Sequence, residues 1–252
     1  SSARFRRSRA LVVREILFVA GEASGDLHAA GVAAAIRRRE PDRPMAGIGG
    51  SRMRDAGVTL IEDVERMAVM GFVEVIRHIP RHWLLLRDLR RRLDRQQTGL
   101  ITLIDYPGFN MRVAARARAR GVPVLYYITP QVWAWGAGRL AKLSRLITRA
   151  AVILPFEEPL LRQHAIDATF VGHPLLDRAT SMPDRQAARR ALGLADDARV
   201  LALFPGSREQ EIARHLDDFV AVGRELQRRV PGLHVVVSVA PGIELDGSAC
   251  PF

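Results

Sequence analysis

Cysteine is almost missing from this chain. Cys250 is the only one, which excludes an intrachain disulfide, argues against a Cys-based zinc site and suits a reducing cytoplasm. Long apolar runs are missing too. None approaches the ~20 residues needed to cross a bilayer. Ile16–Ala20, which follows the basic N-terminus Ser1–Arg14, is too short for a signal-peptide core. Neither G-x-G-x-x-G nor a G-K-[ST] P-loop occurs, which argues against an NAD-dependent dehydrogenase. There is no low-complexity tract and no repeat at a solenoid period. Acidic residues are in the minority, 27 against 38 Lys and Arg, giving a net charge of +11. That balance favours anionic partners without choosing among phosphorylated substrates, nucleotides, nucleic acid and an anionic membrane.

What is present is ordinary for a folded protein: 252 residues, 48% hydrophobic and 26% charged, enough for one large domain or two ordinary ones. The first residue is not Met and the last follows shortly after a strand-like run, so the sequence reads as a piece of a longer chain. Short apolar runs alternate with helical patterns. Strands are predicted at Glu15–Ala20, Pro44–Ile48, Val58–Ile61, Leu100–Ile104, Val122–Ile128, Ala150–Leu154 and Ala168–Val171. This repetition predicts a parallel, doubly wound sheet. Residues 175–198 change character and read as an interdomain connection. A second β-α-β pattern follows: strand Arg199–Phe204, helix Glu209–Arg229, strand Leu233–Val239.

The candidate chemistry sits where these strands end, as expected of open α/β sheets. Asp105 closes the Leu100–Ile104 strand, just before Pro107 and Gly108. A lone carboxylate there can take a proton from a substrate hydroxyl. Asp is equally a turn and N-cap residue, so both roles stay open. The loop Gly21-Glu22-Ala23-Ser24-Gly25-Asp26 opens an Ala-rich helix. Its two acids would repel a phosphate, so it suits sugar hydroxyls, with Ser24 also a candidate helix cap. Phe204-Pro205-Gly206-Ser207-Arg208 offers backbone N–H groups and a guanidinium fork, the best phosphate-binding turn in the chain. Met67–Ile76 is apolar on more than one face and is followed by an arginine-rich stretch. That pairing suits an acyl chain beside an anionic head group, or, as the commoner arrangement, a core helix beside a solvated face. Trp133 and Trp135 could stack on a sugar or simply pack the loop. His173 is open to either a substrate or a structural role.

Seven stretches together resemble the lipid-A-disaccharide synthase family (glycosyltransferase family 19). They are GEASGD at 21–26, AVMGFVEV at 68–75, IDYPGFN at 104–110, PQVWAW at 130–135, LPFE at 154–157, FVGHP at 170–174 and LFPGSR at 203–208, in the family's order. The resemblance implies two Rossmann-like domains with parallel sheets, the arrangement called GT-B. The boundaries would be 15–174 for the acceptor domain and 199–252 for an incomplete nucleotide-sugar domain. It implies an inverting transfer from UDP-2,3-diacylglucosamine to 2,3-diacylglucosamine 1-phosphate (lipid X), giving the lipid A disaccharide 1-phosphate and UDP. No metal or other cofactor is implied. The family works at the cytoplasmic face of the Gram-negative inner membrane, so an anionic membrane surface is an expected partner and nucleic acid is not.

By position, Asp105 matches the family's general base and Arg208 the arginine that meets the donor diphosphate. Glu22, Ser24, Asn110, Gly206 and Ser207 match substrate-contacting positions. Phe72, Val73, Val75 and Ile76 match the patch assigned to acyl chains. Gly108 stands where some members have a second acid, so a carboxylate pair is not expected. The family extends roughly another third beyond Phe252, where most of the uridine and ribose site lies. Residues 1–252 alone are therefore expected to be inactive. Two other readings remain: an enzyme like UDP-N-acetylglucosamine 2-epimerase, which has the same architecture without need of the apolar patch, and a basic nucleic-acid-binding protein, for which no motif is present.

Overall fold

The structure is a computed structural model that describes residues 14–64, 79–131, 137–207, 209–240 and 243–245. The chain divides into two compact units, Ser1–Ala179 and Thr180–Phe252. Among the described residues the first holds seven strands: β1 Glu15–Ala20, β2 Met45–Gly49, β3 Thr59–Asp63, β4 Thr98–Ile104, β5 Val124–Tyr127, β6 Arg149–Val152 and β7 Ala168–Phe170. Their order is β3-β2-β1-β4-β5-β6-β7, and every pairing is parallel. The order reverses between β1 and β4, which is the switch point where open α/β sheets bind ligands. This is the doubly wound sheet that the alternating pattern predicts, with strand ends differing by a residue or two.

Helices cover both faces, so the central strands read as continuous apolar runs. On one face lie α1 (Ala23–Arg39) and α2 (Ser51–Asp55). Gly25, Ala29 and Ala33 let α1 approach closely; a Cβ on Gly25 would stand 3.3 Å from that of Ala20. The other face is covered by α3 (Ile79–Asp94), α4 (Pro107–Arg118), α5 (Ala137–Leu146) and α6 (Glu157–Gln163). Leu85, Leu89, Phe109, Val113, Leu143 and Leu161 build that core against Leu17, Leu103 and Tyr126.

The stretch over 175–198, read as a connection holding a short polar helix, lies within a segment that carries two short helices. Pro174–Ala179 forms a short helix, α7, within the first unit. Arg185–Ala191 forms α8 within the second, capped by the Asp184 carboxylate, which accepts from the Ala187 N–H. Pro174–Ala179 groups with the first unit and Arg185–Ala191 with the second.

The second unit pairs β8 (Arg199–Leu203) with β9 (Leu233–Val237) in parallel. They are joined by the long α9 (Glu209–Arg229), whose Ile212, Leu216 and Val220 form its buried stripe at helical spacing.

Candidate functional site

At the switch point, β1 and β4 run in register to their ends, with Ala20 beside Ile104. The residues that follow each strand are therefore neighbours: Gly21 and Glu22 on one side, Asp105 and Tyr106 on the other. Gly21 is needed there, because a Cβ would fall 2.2 Å from the Tyr106 ring. Burial, and then the nearby Glu22 carboxylate, raise the Tyr106 pKa above the ordinary tyrosine value.

Asp105 is exposed. It is not the helix cap: the N-cap of α4 is Tyr106. Among the described residues its carboxylate makes no hydrogen bond or ion pair. Its backbone, by contrast, is tightly held. Asp105 and Tyr106 both adopt left-handed conformations, φ 44° and 48°. Pro107 at the first helical position closes the right-handed region to the residue before it. Ile128, just past the end of β5, is also left-handed, at φ 58°. Each such non-glycine residue costs about 1–3 kcal/mol, and such strain gathers at functional sites. The Asp105 N–H donates to the Ile128 carbonyl at 3.3 Å. Its carbonyl accepts from the Tyr126 hydroxyl at 2.7 Å and from Asn110 Nδ2 at 2.7 Å.

Asn110, expected as a substrate contact, is 0% exposed. Its Nδ2 also donates to the Ile104 carbonyl at 3.1 Å and the Val19 carbonyl at 3.4 Å. No surface remains for a ligand, and its place is beneath the turn. Ser24 does not cap α1. The helix begins at Ala23 with Glu22 as N-cap and no capping side chain, which leaves Ser24 in the first turn, exposed. Asp26, read as a phosphate-repelling member of the loop, points inward. It is 1% exposed and accepts the N–H groups of Gly50, Arg52 and Met53, at 2.6, 3.1 and 3.1 Å. It is thus the N-terminal cap of α2, supplied from α1. His173 caps too: its Nδ1 accepts the Leu175 N–H of α7 at 3.2 Å.

In the second unit, the turn from β8 to α9 has Gly206 at φ 144°, with a hypothetical Cβ 2.5 Å from that of Glu211. The Ser207 N–H, expected to be open to an anion, donates to Glu211 Oε2 at 2.9 Å. A carboxylate from the helix's own first turn thus already answers that donor. Arg208, Phe72, Val73, Val75, Ile76, Trp133 and Trp135 lie outside the described residues. The shallow cavity of about 670 Å³ along edge strand β3, lined by Arg54, Thr59, Glu62 and Asp63, is not at the switch point.

Sequence reading missed Tyr126 and the inward turn of Asp26. The signal for Tyr126 was its parity: in a strand with alternating burial, a Tyr on the buried face needs an acceptor for its hydroxyl.

Among solved structures, the chain resembles UDP-GlcNAc 2-epimerase from Neisseria meningitidis bound to UDP-GlcNAc, with a TM-score of 0.61 at 11% identity over 90% of this chain and 66% of that one. A putative UDP-N-acetylglucosamine 2-epimerase from Listeria monocytogenes gives 0.62 at 9% identity, over 93% and 64%. At such identities the likeness speaks for the fold alone. Sequence similarity points elsewhere. Lipid-A-disaccharide synthases from Myxococcus xanthus and Geobacter sulfurreducens are each 44% identical, over 92% and 94% of this chain. That of Coxiella burnetii is 37% identical over 92%. The chain spans 60–62% of the length of these relatives. The lipid-A-disaccharide synthetase family model matches residues 16–244, and with these identities the chain belongs to that family.

Proposed function

We propose that the full-length protein of which these residues are part is an inverting glycosyltransferase. It joins UDP-2,3-diacylglucosamine to 2,3-diacylglucosamine 1-phosphate and releases UDP. The observation that carries this reading is Asp105: an exposed carboxylate with no hydrogen bond or ion pair among the described residues, on a strained turn at the sheet's switch point. In the reaction, Asp105 takes the proton of the acceptor 6-hydroxyl as that oxygen attacks the anomeric carbon of the donor. The bond to the diphosphate breaks and UDP leaves. Arg208 meets the charge that develops on the leaving group. Glu22, next to the Asp105 turn, and Ser24, in the first turn of α1, face the acceptor sugar.

The protein is further proposed to work at the cytoplasmic surface of the inner membrane. No helix among the described residues is long and apolar enough to cross a membrane. The support is the α3–α4–α5 layer, in which α4 packs between its neighbours. Arg87, Arg90, Arg91, Arg112, Arg118, Lys142 and Arg145 are exposed on it, and only α3 brings acids, Asp88 and Asp94.

The test is Asp105→Asn in the full-length enzyme. General-base assistance typically contributes ~10²–10⁴-fold, so kcat should fall within that range while the donor KM changes by less than about threefold. Turnover near that of the parent removes Asp105 as base.

A further inference from the structure

The turn that presents Asp105 is held by two side chains that the proposed reaction does not use. We infer that Tyr126 and Asn110 are positioning residues. They fix the direction of the Asp105 carboxylate through one shared atom, the Asp105 carbonyl oxygen. The inference rests on Asp105 acting as the base.

That oxygen receives two donors, the Tyr126 hydroxyl and Asn110 Nδ2, both at 2.7 Å. They come from different elements, β5 and the first turn of α4. The peptide plane between two left-handed residues is therefore pinned from two directions. Without these donors the plane could rotate toward an extended conformation, and the carboxylate would swing with it. Asn110 also ties the turn to the ends of both β4 and β1 through the Ile104 and Val19 carbonyls.

Both groups are suited to constant service. Tyr126 is 0% exposed. Burial, and next the Asp105 charge, push its pKa far above the ordinary tyrosine value, so the hydroxyl remains a donor at any working pH. The Asn110 amide is oriented by the three carbonyls around its nitrogen. Its Oδ1 is buried and, among the described residues, has no hydrogen-bond partner. Orphaning an acceptor is unfavourable, and an apolar residue of similar size would avoid it. Packing alone therefore does not account for an amide here; the three bonds made by its nitrogen do.

The experiment uses the full-length enzyme with Tyr126→Phe and Asn110→Ala, each alone and combined with Asp105→Asn. The readouts are kcat, both KM values and Tm. A misplacement of about 1 Å can reduce turnover ~100-fold. Tyr126→Phe, which keeps the ring in the core, is expected to lower kcat by about 10- to 100-fold. Both KM values should stay within about threefold, and no further loss should appear in the Asp105→Asn background. If Tyr126→Phe is folded and turns over normally while Asp105→Asn is inactive, the positioning role is overturned and the base assignment stands. If the two losses multiply, Tyr126 acts elsewhere and the inference fails. If Asp105→Asn itself retains normal turnover, the base assignment fails and the inference with it. Should Asn110→Ala not fold, Tyr126→Phe still decides.

Discussion

Single residues at the end of the first sheet differ sharply in how they meet solvent and charge. His28, on α1, shows this at a distance from Asp105. Burial, then His173, then Arg178 lower its pKa below the ordinary 6.5. The unfolded chain thus binds a proton below about pH 6.5 that the folded chain resists. The stability contributed by neutral His28 is present above that pH and is lost as pH falls toward the lower folded value. Thermal unfolding measured between about pH 7.5 and 5.5 should show a shallower fall in Tm for His28→Gln than for the parent. Parallel profiles would mean that His28 is not a source of the slope.

Among the elements, the helix ends show how much the sequence made legible and where it stopped. Strand positions and their parallel pairing were readable, because buried runs ending in Gly, Pro and Asp punctuate the chain at β-α spacing. The carboxylate after β4 was readable for the same reason. What was not readable was direction. Asp26 is one residue from Gly25 in a loop-like motif, yet it turns away from the sheet's end to cap α2, a contact across 24 residues of sequence. Asn110 sits in the same motif as Asp105 but is four residues into α4, so the helix carries it underneath. Glu211 answers the Ser207 N–H because one helical turn brings it back, a local geometry that the motif alone conceals. The Asp26 cap yields a prediction for the element as a whole. Asp26→Ala leaves three backbone donors without their acceptor, which should cost about 2–3 kcal/mol and lower Tm by several degrees. Asp26→Asn should recover part of the loss. Unchanged calorimetric melting of Asp26→Ala would show that the three bonds contribute little.

For the whole molecule, the net charge of +11 has a place as well as a size. The α3–α4–α5 layer carries a dense share of it. Lys and Arg near an anionic bilayer contribute ~1 kcal/mol each at moderate ionic strength. Reversing exposed Arg112, Lys142 and Arg145 to Glu in the full-length protein should therefore weaken sedimentation with anionic vesicles more than tenfold. Binding to neutral vesicles should hardly change, and added salt should reproduce the loss. Equal binding of parent and variant to anionic vesicles would move the contact to another surface, the apolar 72–76 segment being the first to test.

The placement of β1 between β2 and β4 also bears on how this protein is made. Its outer neighbour on one side is synthesised soon after it, but its partner on the other, Ile16 beside Leu100 for instance, comes more than eighty residues later. At ribosomal speeds of about 5–20 residues per second, the middle strand waits roughly 4–17 seconds with one rim bare. During biosynthesis this rim is open to pairing with the wrong strand, and the acid-bearing turn cannot take shape until β4 has docked.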